Sequence, residues 1–272
     1  MRLSQGIAAA GLLALASAGC DGGAAKLTDP NFIINGTPTG SSYASVGALL
    51  FDFNRDGTLD GDDQWCTGSL IAPTVFLTAA HCVTGAFTPA GSQFFVSFSP
   101  DLYAAPSLIA ASGYAFISQA GQGIDEDVAV VLLPAGSTSG LTPYQLPVAG
   151  YLDRLAAQGG LSKQTFINVG YGSANSGTGI PRFPYDGIRK VSTSRFMALQ
   201  PSWLGLLMNQ NATKQGGDCY GDSGGPKFLA SNPTVIVATV TSGDSPCRAT
   251  SWDYRLDTPA ARAFLAQYVT LP

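Results

Sequence analysis

Three residues of this chain could together carry out acyl transfer: its single histidine, His81, a serine set among glycines, Ser223, and an aspartate at the mouth of an apolar run, Asp127. Cleaving an amide or ester by nucleophilic catalysis needs a hydroxyl, a base to take its proton and a group that orients the base. With only one imidazole in 272 residues, histidine base chemistry has a single location, at the end of Leu77-Thr78-Ala79-Ala80-His81-Cys82. Ser223 lies in Gly221-Asp222-Ser223-Gly224-Gly225-Pro226, where glycines permit a tight turn and close approach of a substrate. Asp127 opens Asp127-Val128-Ala129-Val130-Val131-Leu132-Leu133. Asp125 and Glu126 are its neighbours, and Asp127 is preferred because it directly abuts the run that would bury it. Taken singly, each residue also has a structural reading: a core histidine, a glycine turn, a solvated acidic bend.

The Ser223 turn satisfies G-x-S-x-G, the nucleophile elbow of α/β-hydrolases. That fold places its histidine after the serine, and no histidine follows Ser223, so the elbow is excluded.

A second constellation could bind a cation. Residues 52–63 run Asp-Phe-Asn-Arg-Asp-Gly-Thr-Leu-Asp-Gly-Asp-Asp, with oxygen donors at the positions used by twelve-residue calcium loops. The ligands would be Asp52, Asn54, Asp56, the Thr58 carbonyl, Asp60 and Asp63, with Gly57 at the sharp turn. Asp63 stands where such loops carry a bidentate glutamate, which weakens the site. The alternative is an acidic hairpin tip.

The elements that must position these groups read as strands. Apolar, β-branched runs at 46–51, 75–78, 93–98, 128–133, 165–169 and 234–241 are bounded by Gly, Pro, Ser and Asp, the pattern of a sandwich or barrel. Their short spacing leaves little room for the helices of a parallel sheet. Charged residues make up 12% of the chain, against about a quarter in ordinary domains; with Gly and Pro abundant, this argues against a helical bundle. A net charge of −4 and no basic run argue against a nucleic-acid partner. The Gly- and Pro-rich stretch 135–150 is the expected linker between halves. One helix is expected after Asp257 or Thr258, starting at Pro259 and burying Ala261, Phe264, Leu265 and Tyr268.

The N-terminus reads as an export signal over residues 1–19: Arg2, an apolar stretch at 7–16, then Ala16-Ser17-Ala18. Export permits disulfides among the five cysteines. If Cys66, Cys82, Cys219 and Cys247 pair, Cys20 is left over. Its setting is similar to a bacterial lipoprotein cleavage site, giving membrane attachment through a lipidated Cys20. The alternative is cleavage after Ala18 and a free thiol in a tail.

The segments around His81 (TAAHC), Asp127 (DVAVVLL) and Ser223 (GDSGGP) resemble, in order and spacing, the three hallmark segments of the trypsin/chymotrypsin family of serine proteases. Ile33-Ile34-Asn35-Gly36 resembles the family's mature N-terminus, Gly170-Tyr171-Gly172 its mid-chain GWG, and Val240-Thr241-Ser242-Gly243 its substrate-binding strand. The resemblance implies two antiparallel six-stranded β-barrels, over 33–145 and 146–272, after a tether or propeptide at 20–32. The active site would lie between them, with a C-terminal helix outside. It implies a serine endopeptidase without catalytic cofactor acting on proteins or peptides, with Gly221 and Ser223 amides as oxyanion hole. It further implies Cys66–Cys82 and Cys219–Cys247 bridges, pairing of a freed Ile33 amine with Asp222, and a specificity pocket built from Gly217, Asp218, Thr241, Ser242 and Gly243.

The chain departs from that pattern in two places. Phe32 precedes Ile33 where a trypsin-like activator needs Arg or Lys, so activation takes another protease or no cut. Gly217 stands where trypsin-type enzymes carry Asp, Asp218 follows it, and Trp252 or Asp253 falls near a usual Gly; Arg or Lys and smaller side chains both remain open at the cleavage site. Two other functions are compatible with the same residues: a calcium-bound adhesion or binding module on a non-catalytic protease scaffold, and an esterase for small esters.

Overall fold

The computed structural model describes residues 36–84, 88–89, 91–117, 126–173 and 185–272. The signal, the tether, Cys20, Ile33 and Asp125 lie outside these residues. Among the described residues no helix is long and apolar enough to cross a membrane.

Among the described residues, fourteen strands form two antiparallel sheets. A short β1 (Thr37–Pro38) leads into β2 (Val46–Leu50), β3 (Gln64–Ala72), β4 (Val75–Thr78), β5 (Phe95–Ser97), β6 (Ile109–Ala110), β7 (Gly113–Phe116) and β8 (Ala129–Leu132). The last seven make one sheet in the order β6-β5-β2-β3-β4-β8-β7. The second half contributes β9 (Thr165–Gly170), β10 (Lys190–Leu199), β11 (Trp203–Leu207), β12 (Pro226–Leu229), β13 (Asn232–Gly243) and β14 (Thr250–Arg255). Their order is β1-β10-β11-β14-β13-β12-β9, and β9 also pairs with β10, closing six strands into a barrel.

The first lobe departs from the expected closed barrel. Its edge strands β6 and β7 are consecutive segments separated by Ala111 and Ser112, which donate to Phe94 on one side and to Leu132 on the other. The sheet therefore curls back on itself at a bend, with no ladder joining its edges among the described residues.

Alternation in the strands feeds three apolar clusters. Leu49, Phe51, Leu70, Phe76 and Phe94 fill the first lobe; Phe166, Leu204, Leu206 and Val237 fill the second. Val46, Leu77, Val130, Phe228, Ile236 and Leu265 meet where the lobes face each other. Each such side chain contributes about 1.5–3 kcal/mol on burial. Gly68 is required by this packing, since a Cβ there would come 2.3 Å from the Leu77 carbonyl and 2.4 Å from the Phe76 ring.

Arg189 ties the lobes together. It is 1% exposed and donates to the Thr39 hydroxyl and to the carbonyls of Gly40, Ser42, Val46 and Phe98. A buried guanidinium is tolerated only when its donors are consumed in this way.

Of the four α-helices among the described residues, α1 (Ala80–Val83), α2 (Tyr151–Ala157), α3 (Gln210–Thr213) and α4 (Pro259–Leu265), only α4 was expected. Thr258 caps it by accepting the Ala261 amide, Pro259 occupies the first turn, and Ala261, Phe264 and Leu265 are buried.

Candidate active site

The site is assembled from chain reversals at strand ends. β4 stops at Thr78, Ala79 is extended, and α1 begins at Ala80, so His81 projects from a one-turn helix at the edge of the first sheet. Asp127 immediately precedes the buried run that forms β8 and is itself wholly inaccessible. Its carboxylate accepts the His81 amide at 3.0 Å and faces ring Nδ1 at 2.8 Å. An ionised carboxylate only accepts, so Nδ1 carries the hydrogen and Nε2 is left as the basic nitrogen. Burial alone would raise the Asp127 carboxyl; the hydrogen bonds and charge of His81, helped by the Thr241 hydroxyl, outweigh it and hold the group below the usual carboxylate range.

Ser223 belongs to the second lobe but is anchored to the first, its carbonyl accepting the Thr67 amide of β3 at 2.9 Å. Gly224, at φ +78°, sits too close for a side chain: a Cβ would lie 2.2 Å from the Thr78 hydroxyl. Ser223 and His81 line the same cleft. No hydrogen bond joins the hydroxyl to the ring among the described residues; such bonds are often long without substrate and shorten when it binds.

Two backbone amides complete the cleft. The Tyr220 carbonyl accepts the Ser173 amide at 2.8 Å, and the Asp222 carbonyl accepts the Gly225 amide at 2.8 Å. In a trans peptide the C=O and the following N–H point in opposite directions, so the N–H groups of Gly221 and Ser223 point away from these partners. Neither donates to a protein acceptor among the described residues. Gly221 holds its turn at φ +92°, with its own carbonyl pinned by the Gln64 amide at 2.8 Å and the Thr67 hydroxyl at 2.9 Å. The sequence reading missed Ser173, Gln64 and Thr67: Ser173 acts through its backbone amide and the other two through side chains aimed across the lobes, which no motif displays.

Cys66 is bonded to Cys82 and Cys219 to Cys247. The first bridge fixes α1 to β3 and the second closes the wall of a cavity of about 400 Å³ beside Ser223. Asp218, Thr241, Ser242 and Gly243 line this cavity, as does Ser251. Gly217 does not line it: Met208 packs there, so that a Cβ on Gly217 would come 2.4 Å from the Met208 Cβ. Trp252 also turns away, its ring against Gly205, while Asp253 is wholly buried behind Ser251.

Asp222 is buried, its carboxylate accepting the amides of Gly172 and Cys219 at 2.8 Å each. Burial, and then the charge of Asp218, push its carboxyl up to about 7. Ile33, its expected partner, lies outside the described residues.

In the 52–63 loop, Asn54, Asp56 and Asp60 each accept the amide two residues ahead, at 3.0, 2.7 and 2.9 Å. Asp63 closes the loop by accepting the amides of Phe53 and Asp60. Asp52 Oδ1 is buried without a partner. The donor set suits a hard cation, but the carboxylates are not gathered into a cage. The one close trio of candidate ligands among the described residues is Cys66, His81 and Cys82, whose two sulfurs are joined as a disulfide.

Two all-β lobes around a cleft, with the hallmark histidine, aspartate and serine at its edges, define a trypsin-like fold. The Trypsin family model matches residues 52–263, and the chain belongs to that family. Among solved structures, it is similar to human heparin binding protein, with 17% identity and a TM-score of 0.64 over 87% of this chain and 96% of that one. It is also similar to HL collagenase, with 21% identity and a TM-score of 0.59 over 86% and 97%. At such identities these likenesses speak to the fold. The curated proteins hold no match.

Proposed function

We propose that the protein is an exported serine endopeptidase. The observation that carries this is the pair of unspent amides at Gly221 and Ser223, opening on the cleft lined by His81 and the Ser223 hydroxyl. A retired site has no chemical reason to leave two backbone donors aimed at nothing. Ser223 Oγ attacks the scissile carbonyl carbon while His81 Nε2 takes its proton; the carbonyl oxygen becomes an oxyanion held by the two amides. The C–N bond then breaks, the amine leaving with the proton from His81. Water attacks the acyl-enzyme by the same route, returning the proton to Ser223. Asp127 keeps Nδ1 protonated and stabilises the imidazolium.

The reading includes pairing of a freed Ile33 amine with Asp222, whose raised carboxyl marks a buried charge that a cation would stabilise. It also includes calcium in the 52–63 loop, supported by the unpartnered Asp52 Oδ1. There Asp52, Asn54, Asp56, Thr58, Asp60 and Asp63 would hold the ion, which would brace the loop ahead of β3.

Covalent labelling tests the activity. A sulfonyl fluoride should modify Ser223, and Ser223→Ala should abolish the mass shift. An unlabelled, correctly processed protein would overturn the reading in favour of a binding module, and hydrolysis of esters but never of a peptide library would favour an esterase.

A further inference from the structure

Immediately after the Ser223 turn, β12 carries Lys227 in a strand whose four residues are all buried. The lysine is wholly inaccessible. Its ammonium contacts Asp218 Oδ2, donates to Asn168 Oδ1 at 2.8 Å and lies 3.6 Å from Asp253 Oδ1. Lys227 and Asn168 are cross-strand partners, so both point into the second barrel. The Ser251 hydroxyl links the two carboxylates, 2.9 Å from Asp218 and 2.8 Å from Asp253. Enclosing a lone ammonium costs several kcal/mol, so a fully buried lysine persists only where acceptors consume its three donors. Here two hydrogen bonds, to Asp218 and Asn168, and the charge of Asp253 at 3.6 Å surround the ammonium.

This charge sits one layer behind the cavity wall. Asp218 lines the cavity and Lys227 does not. The remaining wall includes Met208, Val240 and the Cys219–Cys247 bridge together with Thr241, Ser242 and Ser251; Asp244 also lies on it, its carboxylate oxygens already held by the backbone amides of Arg248, Ala249 and Thr250. A cationic guest would have to share Asp218 with an ammonium already in contact with it, a like-charge juxtaposition that costs several kcal/mol.

We propose that Lys227 cancels the charge of Asp218 from behind, so that the cavity accepts an uncharged apolar side chain at the cleavage site and rejects Arg and Lys. This rests on the endopeptidase reading. The third member of the network agrees with it. Burial raises the Asp253 carboxyl to about 7, against the lowering effect of Lys227, and its Oδ2 has no partner. A bare buried oxygen is costlier charged than neutral, so below about pH 7 Asp253 adds little negative charge of its own. Size sets no narrow limit: Trp252 is turned away over Gly205, which leaves the pocket end of the cleft open to Leu, Met or Phe.

Matched peptidyl phosphonates carrying Leu, Phe or Lys next to phosphorus test this, with a sulfonyl fluoride as a control indifferent to that side chain. The Leu and Phe reagents should label Ser223 at least about 30-fold faster than the Lys reagent. Lys227→Gln, if its melt shows it folded, should shift the ratio by about tenfold or more toward the Lys reagent, because Asp218 then stands uncancelled. Asp218→Asn leaves the ammonium unbalanced and should shift the ratio no closer to the Lys reagent. Faster labelling of the wild type by the Lys reagent overturns the proposal. So does an unmoved ratio in folded Lys227→Gln. If Lys227→Gln does not fold, Lys227→Met is read by the same criterion. Failure of the sulfonyl fluoride itself would overturn the peptidase reading, a distinct outcome.

Discussion

The Tyr220 carbonyl is held by the Ser173 amide at 2.8 Å, and this one bond sets the direction of the Gly221 N–H on the same peptide. Gly221→Ala should disturb it. A Cβ there would meet the Tyr185 hydroxyl at 2.4 Å and Gln64 Oε1 at 2.9 Å, at φ +92°, so the peptide must rotate and its N–H leaves the cleft. Loss of one oxyanion donor typically costs about 10²–10³ in kcat. The expected pattern is a fall of that size in kcat with KM little changed, and a parallel loss of affinity for a peptide boronate. Unchanged boronate affinity would remove Gly221 from the oxyanion site.

The Asp127–His81 pair predicts a second kinetic signature. Asn in place of Asp127 can still accept the His81 amide, but its side-chain NH₂ can no longer fix Nδ1–H, so the wrong tautomer becomes available. A fall in kcat of about 10⁴ is expected, with the protein folded by circular dichroism. A loss below about tenfold would place the orienting role elsewhere, with Glu126 the nearest carboxylate in sequence.

Much of this site was legible because its chemistry is concentrated in contiguous residues. One histidine, one glycine-set serine and one aspartate heading an apolar strand are visible without any fold. The strand at 75–78 was legible to the residue, and α4 announced itself through Thr258, Pro259 and a helical apolar stripe. The first lobe was less legible: its curl depends on a bend at Ala111-Ser112, which one serine before Gly113 marks only weakly. Lys227 was missed altogether. In the string Gly-Gly-Pro-Lys-Phe-Leu it reads as a surface lysine, and only the register of β12 against β9 turns it inward. The signal available was its position inside a run otherwise wholly apolar. Gly217 was misplaced for a similar reason, since Met208 reaches it from a distant strand end.

Stability should depend on pH in an uncommon direction. Before a freed Ile33 amine pairs with Asp222, both Asp222 and Asp253 have carboxyls raised by burial to about 7, while in an unfolded chain each titrates near 4. A raised folded value means that the native state holds these protons more tightly. Their contribution is therefore fully present below about pH 4 and is lost as pH rises through about 7. Asp127 acts oppositely, its lowered carboxyl withdrawing support only in strong acid. The melting temperature should fall between about pH 4 and pH 7, and Asp253→Asn should flatten that decline. A melt that rises over the same interval would mean that both carboxylates are charged and compensated throughout.

Calcium removal addresses the 52–63 loop directly. An ion that binds only the native state stabilises by about 2.7 kcal/mol at one hundred times its dissociation constant. For a chain of this size that corresponds to about 5–10 °C in melting temperature. Adding millimolar calcium after chelation should raise the melt by this amount, and magnesium should do less, because it demands tighter octahedral geometry. Asp52→Asn should abolish the increment while leaving the chelated melt unchanged, since Asp52 Oδ1 makes no protein hydrogen bond. Asp63 is unsuited to the same test, because it closes the loop through the Phe53 and Asp60 amides whether or not an ion is bound. A melt that ignores both calcium and chelator would reduce the loop to an acidic hairpin held by its own backbone.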